Sequence, residues 1–261
     1  MTGMPPPVTP FRGLLWPGLF TVLVMAALVG LGFWQLERMA WKETILAQIE
    51  ARAHAAPVPP PPEAEWAGFD ASAHDYRHVT ASGVFENDRE AAVFRASSDG
   101  KASAAGPGYL ILTPMLQADG SRILVNRGFV PLDKRDPASR KAGLLAGPVT
   151  VTGLLRPPEP RNLFTPADDP ARENWFTRDP AAIAAHLKLG RVAPFTIDAG
   201  ATPANPGGWP AGGATVLAIP NNHMSYALTW FGLALALAGV FAAFARGRLS
   251  GAAGRANVLA N

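Results

Sequence analysis

The sequence predicts a membrane protein: two transmembrane helices flanking an extracytoplasmic α+β domain built on a mainly antiparallel sheet or partial barrel. Two uncharged runs and a change of period carry this. Met224 to Ala245 holds no Asp, Glu, Lys, Arg or His, and Leu14 to Trp34 is likewise uncharged. At a rise of about 1.5 Å per residue the later run makes about 33 Å of helix, enough to cross a hydrocarbon layer of about 30 Å. Between the two runs the apolar pattern shifts from the helical repeat to the two-residue repeat of strands. The chain of 261 residues, 48% hydrophobic and 16% charged, has room for one domain besides the spans.

In chain order, residues 1–13 form a cytoplasmic arm and residues 14–35 the first span. Pro17 falls in its first turn, where a missing N–H costs little. A cleaved signal peptide is the other reading of this run. Its length, and the Gln35, Glu37 and Arg38 that follow without a small-x-small cleavage site, favour an uncleaved anchor. Residues 36–62 comprise a polar continuation of the helix, WQLERMAWKETILAQIEARA, and a proline run from Pro57 to Pro62 that reads as a polyproline II spacer. Residues 63–222 form the extracytoplasmic domain, 223–245 the second span and 246–261 a cytoplasmic tail.

The charge distribution orients the spans. All twenty acidic residues and nineteen of the 23 Lys and Arg lie between Glu37 and Asp198. Arg12, Arg246, Arg248 and Arg255 stand outside that stretch without an acid, which places both termini in the cytoplasm and the main domain in the periplasm of a bacterium or in an intermembrane space. With no Arg-rich, Ser-rich presequence before the first run, a bacterial inner membrane is the expected setting. No basic stripe interleaved with aromatics marks the middle segment, so the chain reads as one without a nucleic-acid partner. There is no cysteine, so an extracytoplasmic domain must hold together by packing alone, without disulfide or thiolate chemistry.

Strands are expected at Tyr76–Phe85, Glu90–Ala96, Gly108–Leu116, Arg122–Val130, Val149–Leu155, Pro194–Asp198 and Thr215–Ile219. Asp119-Gly120 signals a hairpin between the third and fourth. Asp179 at N-cap, Pro180 at N1 and Gly190 beyond the end frame a short helix, AAIAAHLKL. Ala199 to Ala214, rich in Gly and Pro, reads as a loop.

No nucleophile elbow, zinc-protease motif, P-loop or dinucleotide fingerprint occurs, and the chain reads as a non-enzyme. Of five histidines, His54, His74, His78 and His186 read as surface or structural groups, and Asp168-Asp169 as a solvated loop. His223 differs, because it stands at the mouth of the second span with Tyr226 and Trp230 following at i+3 and i+7 on one helical face. Asn221, Asn222 and His223 can simply cap the helix. Arg127 falls inside the apolar strand VNRGFVP and needs either solvent opposite a carboxylate or an anionic ligand. Gly128 suggests a bulge there, and Pro131 ends the strand.

The segments GFWQLERMAWK, GPGYLILTPMLQADGSRILVNRGFVP, LLRPPEP, ENWFTRD and PNNHMSYALTWFGLA, in this order, resemble the surfeit locus protein family of cytochrome oxidase assembly factors. Phe129 departs from the family's usual Trp, and Met224-Ser225 from its usual Leu-Gln. The resemblance implies an assembly factor for haem-copper oxidase that takes haem a, as transient cargo, from haem a synthase and presents it to oxidase subunit I at the lipid membrane. It points to His223 as ligand of the haem iron. Tyr226, Trp230, Trp34, Gln35 and Arg127 complete the expected cofactor-binding set, with Trp34 and Gln35 at the same depth on the first span. A scaffold that stabilises oxidase intermediates without binding haem is the alternative.

Overall fold

A computed structural model describes residues 12–96, 106–213, 215 and 221–259. The chain divides into a helical unit, Met1–Ile45 with Pro220–Asn261, and a sheet body, Leu46–Ile219.

The helical unit contains most of α1, which runs from Arg12 to Ala53, and α4, from His223 to Leu259. Both are long and apolar enough to cross a membrane. Pro17 lies inside α1, where its missing N–H leaves the carbonyl four residues back without its helical partner. The two helices run antiparallel. Phe33 meets Phe231 edge to face at 5.5 Å, and a Cβ on Gly18 would lie 3.3 Å from Phe241, so positions descend on α1 as they rise on α4. A Cβ on Gly32 would come within 2.5 Å of the Phe231 ring, so that glycine is what lets the ring approach. Ala227 and Ala234 are buried two turns apart, while Leu15, Trp16, Phe20, Leu228 and Leu235 face outward. Apolar surface on this scale calls for a nonaqueous neighbour.

In the sheet body, α2 (Ala71–His74) precedes β1 (His78–Phe85), β2 (Ala91–Arg95), β3 (Gly108–Leu116), β4 (Arg122–Pro131), β5 (Pro148–Arg156), α3 (Pro180–Leu187) and β6 (Val192–Ala199). The strands lie in the order β1-β5-β6-β4-β3-β2, and the end of β1 also pairs with β3, at Val84–Leu116 and Phe85–Met115. The sheet therefore curls into a partly closed barrel. It is mixed: every pair is antiparallel except β4–β6, which is parallel with Leu124 beside Thr196. β6 reaches that position through a connection containing α3, the long crossover that parallel neighbours require. Alternation in the sequence reports which face a residue takes, not which strand lies beside it.

Core residues sort by pleat. Ile123 and Val125 of β4 enter the barrel with Val79, Phe85, Met115, Phe195 and Ile197. Leu124 points the other way, into a second cluster with Val93, Leu112, Trp175 and Ile183 that seats α3. The hairpin forms at Gly120, whose φ of +79° suits the turn. Asp179 caps α3 through the N–H groups of Ala181 and Ala182, and Lys188 ends it in the left-handed region. Tyr76, at φ +61°, lies outside the strand expected to include it. The proline run is not a free spacer, because Val58 bridges β1 beside Val79 and Trp66 donates its indole N–H to the Pro61 carbonyl. Of the expected strand Thr215–Ile219, residues 216–219 lie outside the described residues.

One buried ion pair ties several elements together. Arg178 Nη1 reaches both carboxylate oxygens of Asp198, at 2.8 and 2.9 Å, while Asn126 and Thr215 donate to the same carboxylate. Burial pushes the Asp198 carboxyl upward, but Arg178 and these hydrogen bonds outweigh it and hold the group below its ordinary range. Asp198→Asn is expected to cost about 3–5 kcal/mol, because it leaves Arg178 buried without a counter-charge. Thermal melts of the detergent-solubilised chain check this. A carboxyl depressed in the folded state stabilises fully above the ordinary aspartate value of about 4, and that contribution fades as pH falls through the folded value. The variant's melting temperature should therefore depend less on pH below about 4 than the parent's.

The register between β3 and β4 slips by one residue between the Leu110–Phe129 and Leu112–Asn126 pairs, which places a bulge at Arg127-Gly128, as the sequence suggests. Gly128 has φ +126°, and a Cβ there would lie 2.0 Å from the Ala211 carbonyl oxygen. Gly128→Ala should destabilise the body by at least the roughly 1–3 kcal/mol of a strained backbone, read in the same melts.

Candidate functional site at the head of the helix pair

His223 is the first residue of α4, and its ring crosses to α1. His223 Nδ1 lies 2.6 Å from Gln35 Oε1. An amide oxygen can only accept, so Nδ1 carries the hydrogen, and in the neutral ring Nε2 is left with its lone pair. With Nδ1 engaged by Gln35, Nε2 is the nitrogen left for a further partner. The helix begins with Tyr226 N–H donating to the Asn222 carbonyl at 3.3 Å, the first bond of the helical ladder.

Aromatic and polar groups stand close by in sequence on both helices. Trp34 and Tyr226 are 53% and 57% exposed, giving two flat rings on the outer surface of the pair. Trp230 is half-buried, and its indole N–H is shielded without an acceptor among the described residues. Asn221 Oδ1 is likewise buried without a donor among those residues. An imidazole lone pair, exposed rings and unmet polar atoms suit a flat, largely apolar ligand with a metal at its centre.

Arg127 has a different setting. It is buried in the sheet body, where Nη2 donates to the Gly143 carbonyl and to Asn205 Oδ1, Nη1 donates to Asn87 Oδ1, and the guanidinium lies 4.7 Å from the Phe85 ring centre. The sequence leaves it solvent or an anionic partner; the structure supplies neutral oxygens instead. Burial pushes its pKa down to about 10, with Glu90 opposing and Arg140 adding to the fall. The cavity beside it, lined by Phe85, Leu145, Val151 and Asn205, holds about 60 Å³, far too little for a porphyrin. The expected ligand contact becomes a structural clasp that joins β4 to the Gly/Pro-rich loop, which also pairs with the strand through Phe129 and Ala211.

The remaining sequence candidates fall into structural roles. His54, His74 and His78 each bond a backbone carbonyl, and His186 stacks edge-on to Trp175. Asp168 accepts from Arg161, Thr177 and the Phe176 N–H within its own loop. An open cavity of about 640 Å³ lies over Glu90, Asp133, Asp136, Glu173 and His186, yet among the described residues no group of three acidic or histidine side chains is placed to hold a metal ion. Sequence reasoning missed the Asp198–Arg178 pair and the buried Glu90–Arg140 pair. A lone acid in the apolar strand PFTIDA was the available signal for the first.

Comparison with known proteins agrees with the placement of these residues in one family. Residues 22–235 match the SURF1 family. Surfeit locus protein 1 of Mus musculus is 36% identical over 227 residues, covering 83% of this chain and 72% of the mouse protein. The Homo sapiens protein of the same name is 34% identical over 226 residues, covering 82% of this chain and 73% of its own. A SURF1-like protein of Monosiga brevicollis is 34% identical over 224 residues, covering 83% of each chain. With the family match spanning most of its length, this chain belongs to the SURF1 family.

Proposed function

We propose that this chain is a membrane-anchored assembly factor for haem-copper oxidase that binds haem a as transient cargo at His223 and presents it to oxidase subunit I. Family membership and the resemblance of its motifs to oxidase assembly factors support the oxidase role. The observation that carries the haem reading is the Gln35–His223 hydrogen bond, which leaves Nε2 free to meet iron. Trp34, Tyr226 and Trp230 would pack against the macrocycle or donate to it. When bound, the haem supplies the redox iron that the oxidase requires. The protein's own work is to hold and orient the group and keep its apolar face from water.

The same reading places both helices across a bacterial inner membrane, with both termini cytoplasmic and the sheet body periplasmic; the acid-free, Arg-bearing ends of the chain support this sidedness. Haem a synthase is the proposed donor, and the membrane lipid the medium of transfer.

Detergent-solubilised protein supplied with haem a should show a shifted Soret band that His223→Ala abolishes, and Gln35→Leu should weaken binding about 10- to 100-fold by releasing the ring. An unshifted band would refute haem binding, and co-purification with subunit I surviving His223→Ala would then favour the scaffold. The absence of cysteine makes topology directly measurable. In intact spheroplasts, a membrane-impermeant thiol reagent should label Ser139→Cys, whereas Ser250→Cys should react only after lysis; the reverse pattern would invert the orientation.

A further inference from the structure

From the last residue of the uncharged run on α1, Trp34, Arg38 and Trp41 follow at i, i+4 and i+7, along one face of the helix. The Arg38 guanidinium lies 3.8 Å from the centre of the Trp41 ring. Contact with a ring face uses no hydrogen-bond acceptor, so the guanidinium keeps N–H groups able to donate. Arg38 is exposed, and no carboxylate comes within ion-pair distance of it among the described residues. By contrast, Arg95, Arg122, Arg140 and Arg178 all close on a carboxylate. An arginine pinned by an aromatic ring, with its donor edge unspent, is prepared for an anion from outside the chain.

Its location selects the anion. Arg38 stands three residues beyond Gln35, about 4.5 Å farther along the axis and roughly 60° round the helix. Gln35 holds His223, and the exposed Trp34 ring lies one turn below Arg38 on the same face. A flat ligand resting on Trp34 with its centre at His223 Nε2 would turn any acidic edge toward the polar end of the pair, where Arg38 waits. We propose that Arg38, held in place by Trp41, is the carboxylate clamp for the propionates of the porphyrin bound at His223. This rests on the haem reading above and adds to it a residue that fixes which edge of the macrocycle points out of the apolar layer.

The test uses full-length protein in uncharged detergent, titrated with iron protoporphyrin IX and with its dimethyl ester, which lacks the carboxylates. Arg38→Ala should weaken binding of the diacid about 10- to 100-fold, the range of a hydrogen bond to a charged group, without moving the Soret maximum set by His223. Arg38→Lys should recover part of the loss, and Trp41→Leu should reproduce part of it. The diester should bind the parent and Arg38→Ala alike, and more weakly than the diacid binds the parent. Equal loss for diacid and diester would mean that Arg38 supports the helix pair and not the propionates. Unchanged diacid affinity, with a loss of binding to phosphatidylglycerol vesicles alone, would assign Arg38 to lipid phosphate instead. Both results overturn the clamp. Diacid affinity that falls with His223→Ala but not with Arg38→Ala would overturn the clamp and leave the haem reading standing, whereas no porphyrin binding by the parent would overturn both.

Discussion

A polar side chain between two apolar helices must find a partner or carry the full cost of desolvation. In this protein the Gln35–His223 hydrogen bond meets that constraint, and the arrangement of the helical unit follows from it. It joins the polar end of the uncharged stretch of α1 to the first residue of α4. The seam beyond it is built from close contacts, Gly32 under Phe231 and the buried Ala227 and Ala234, which pack without reading register as strongly as a directional bond does. The same bond decides which imidazole nitrogen remains available, so one interaction serves both the packing of the helices and the orientation of the ring at their head.

The sheet body solves a related problem by other means. Without cysteines it relies on a curled, mixed sheet with apolar clusters on both sides of β4. Charges that enter this interior are matched: Asp198 by Arg178, Asn126 and Thr215, and Arg140 by Glu90. Arg127 is the exception in kind, since it is held by neutral oxygens and a ring and its pKa falls to about 10. These buried groups fasten the ends of strands to the loops beside them. They do so where a purely apolar core would leave the Gly/Pro-rich connection without directional anchors.

Much of this architecture was legible in the residues. The lengths of the uncharged runs, the Asp119-Gly120 turn, the Asp179 cap and the bulge at Gly128 are local consequences of spacing and backbone chemistry, and each stands where local rules put it. His223 was legible too, as the histidine at the mouth of an apolar helix.

What the sequence determined by itself was therefore the kind of each element and the residue around which a ligand site could form. The tertiary structure decided which elements and side chains become neighbours. It made β6 the parallel partner of β4, fastened the proline run to β1 through Val58, and turned Arg127 from a candidate ligand contact into a clasp. It also set Gln35 against His223, 188 positions apart in the chain. The physical reason is range. Periodicity, caps and turns act over a few residues along the backbone, whereas a buried arginine or an imidazole tautomer is governed by whichever oxygen the fold brings within 3 Å or so.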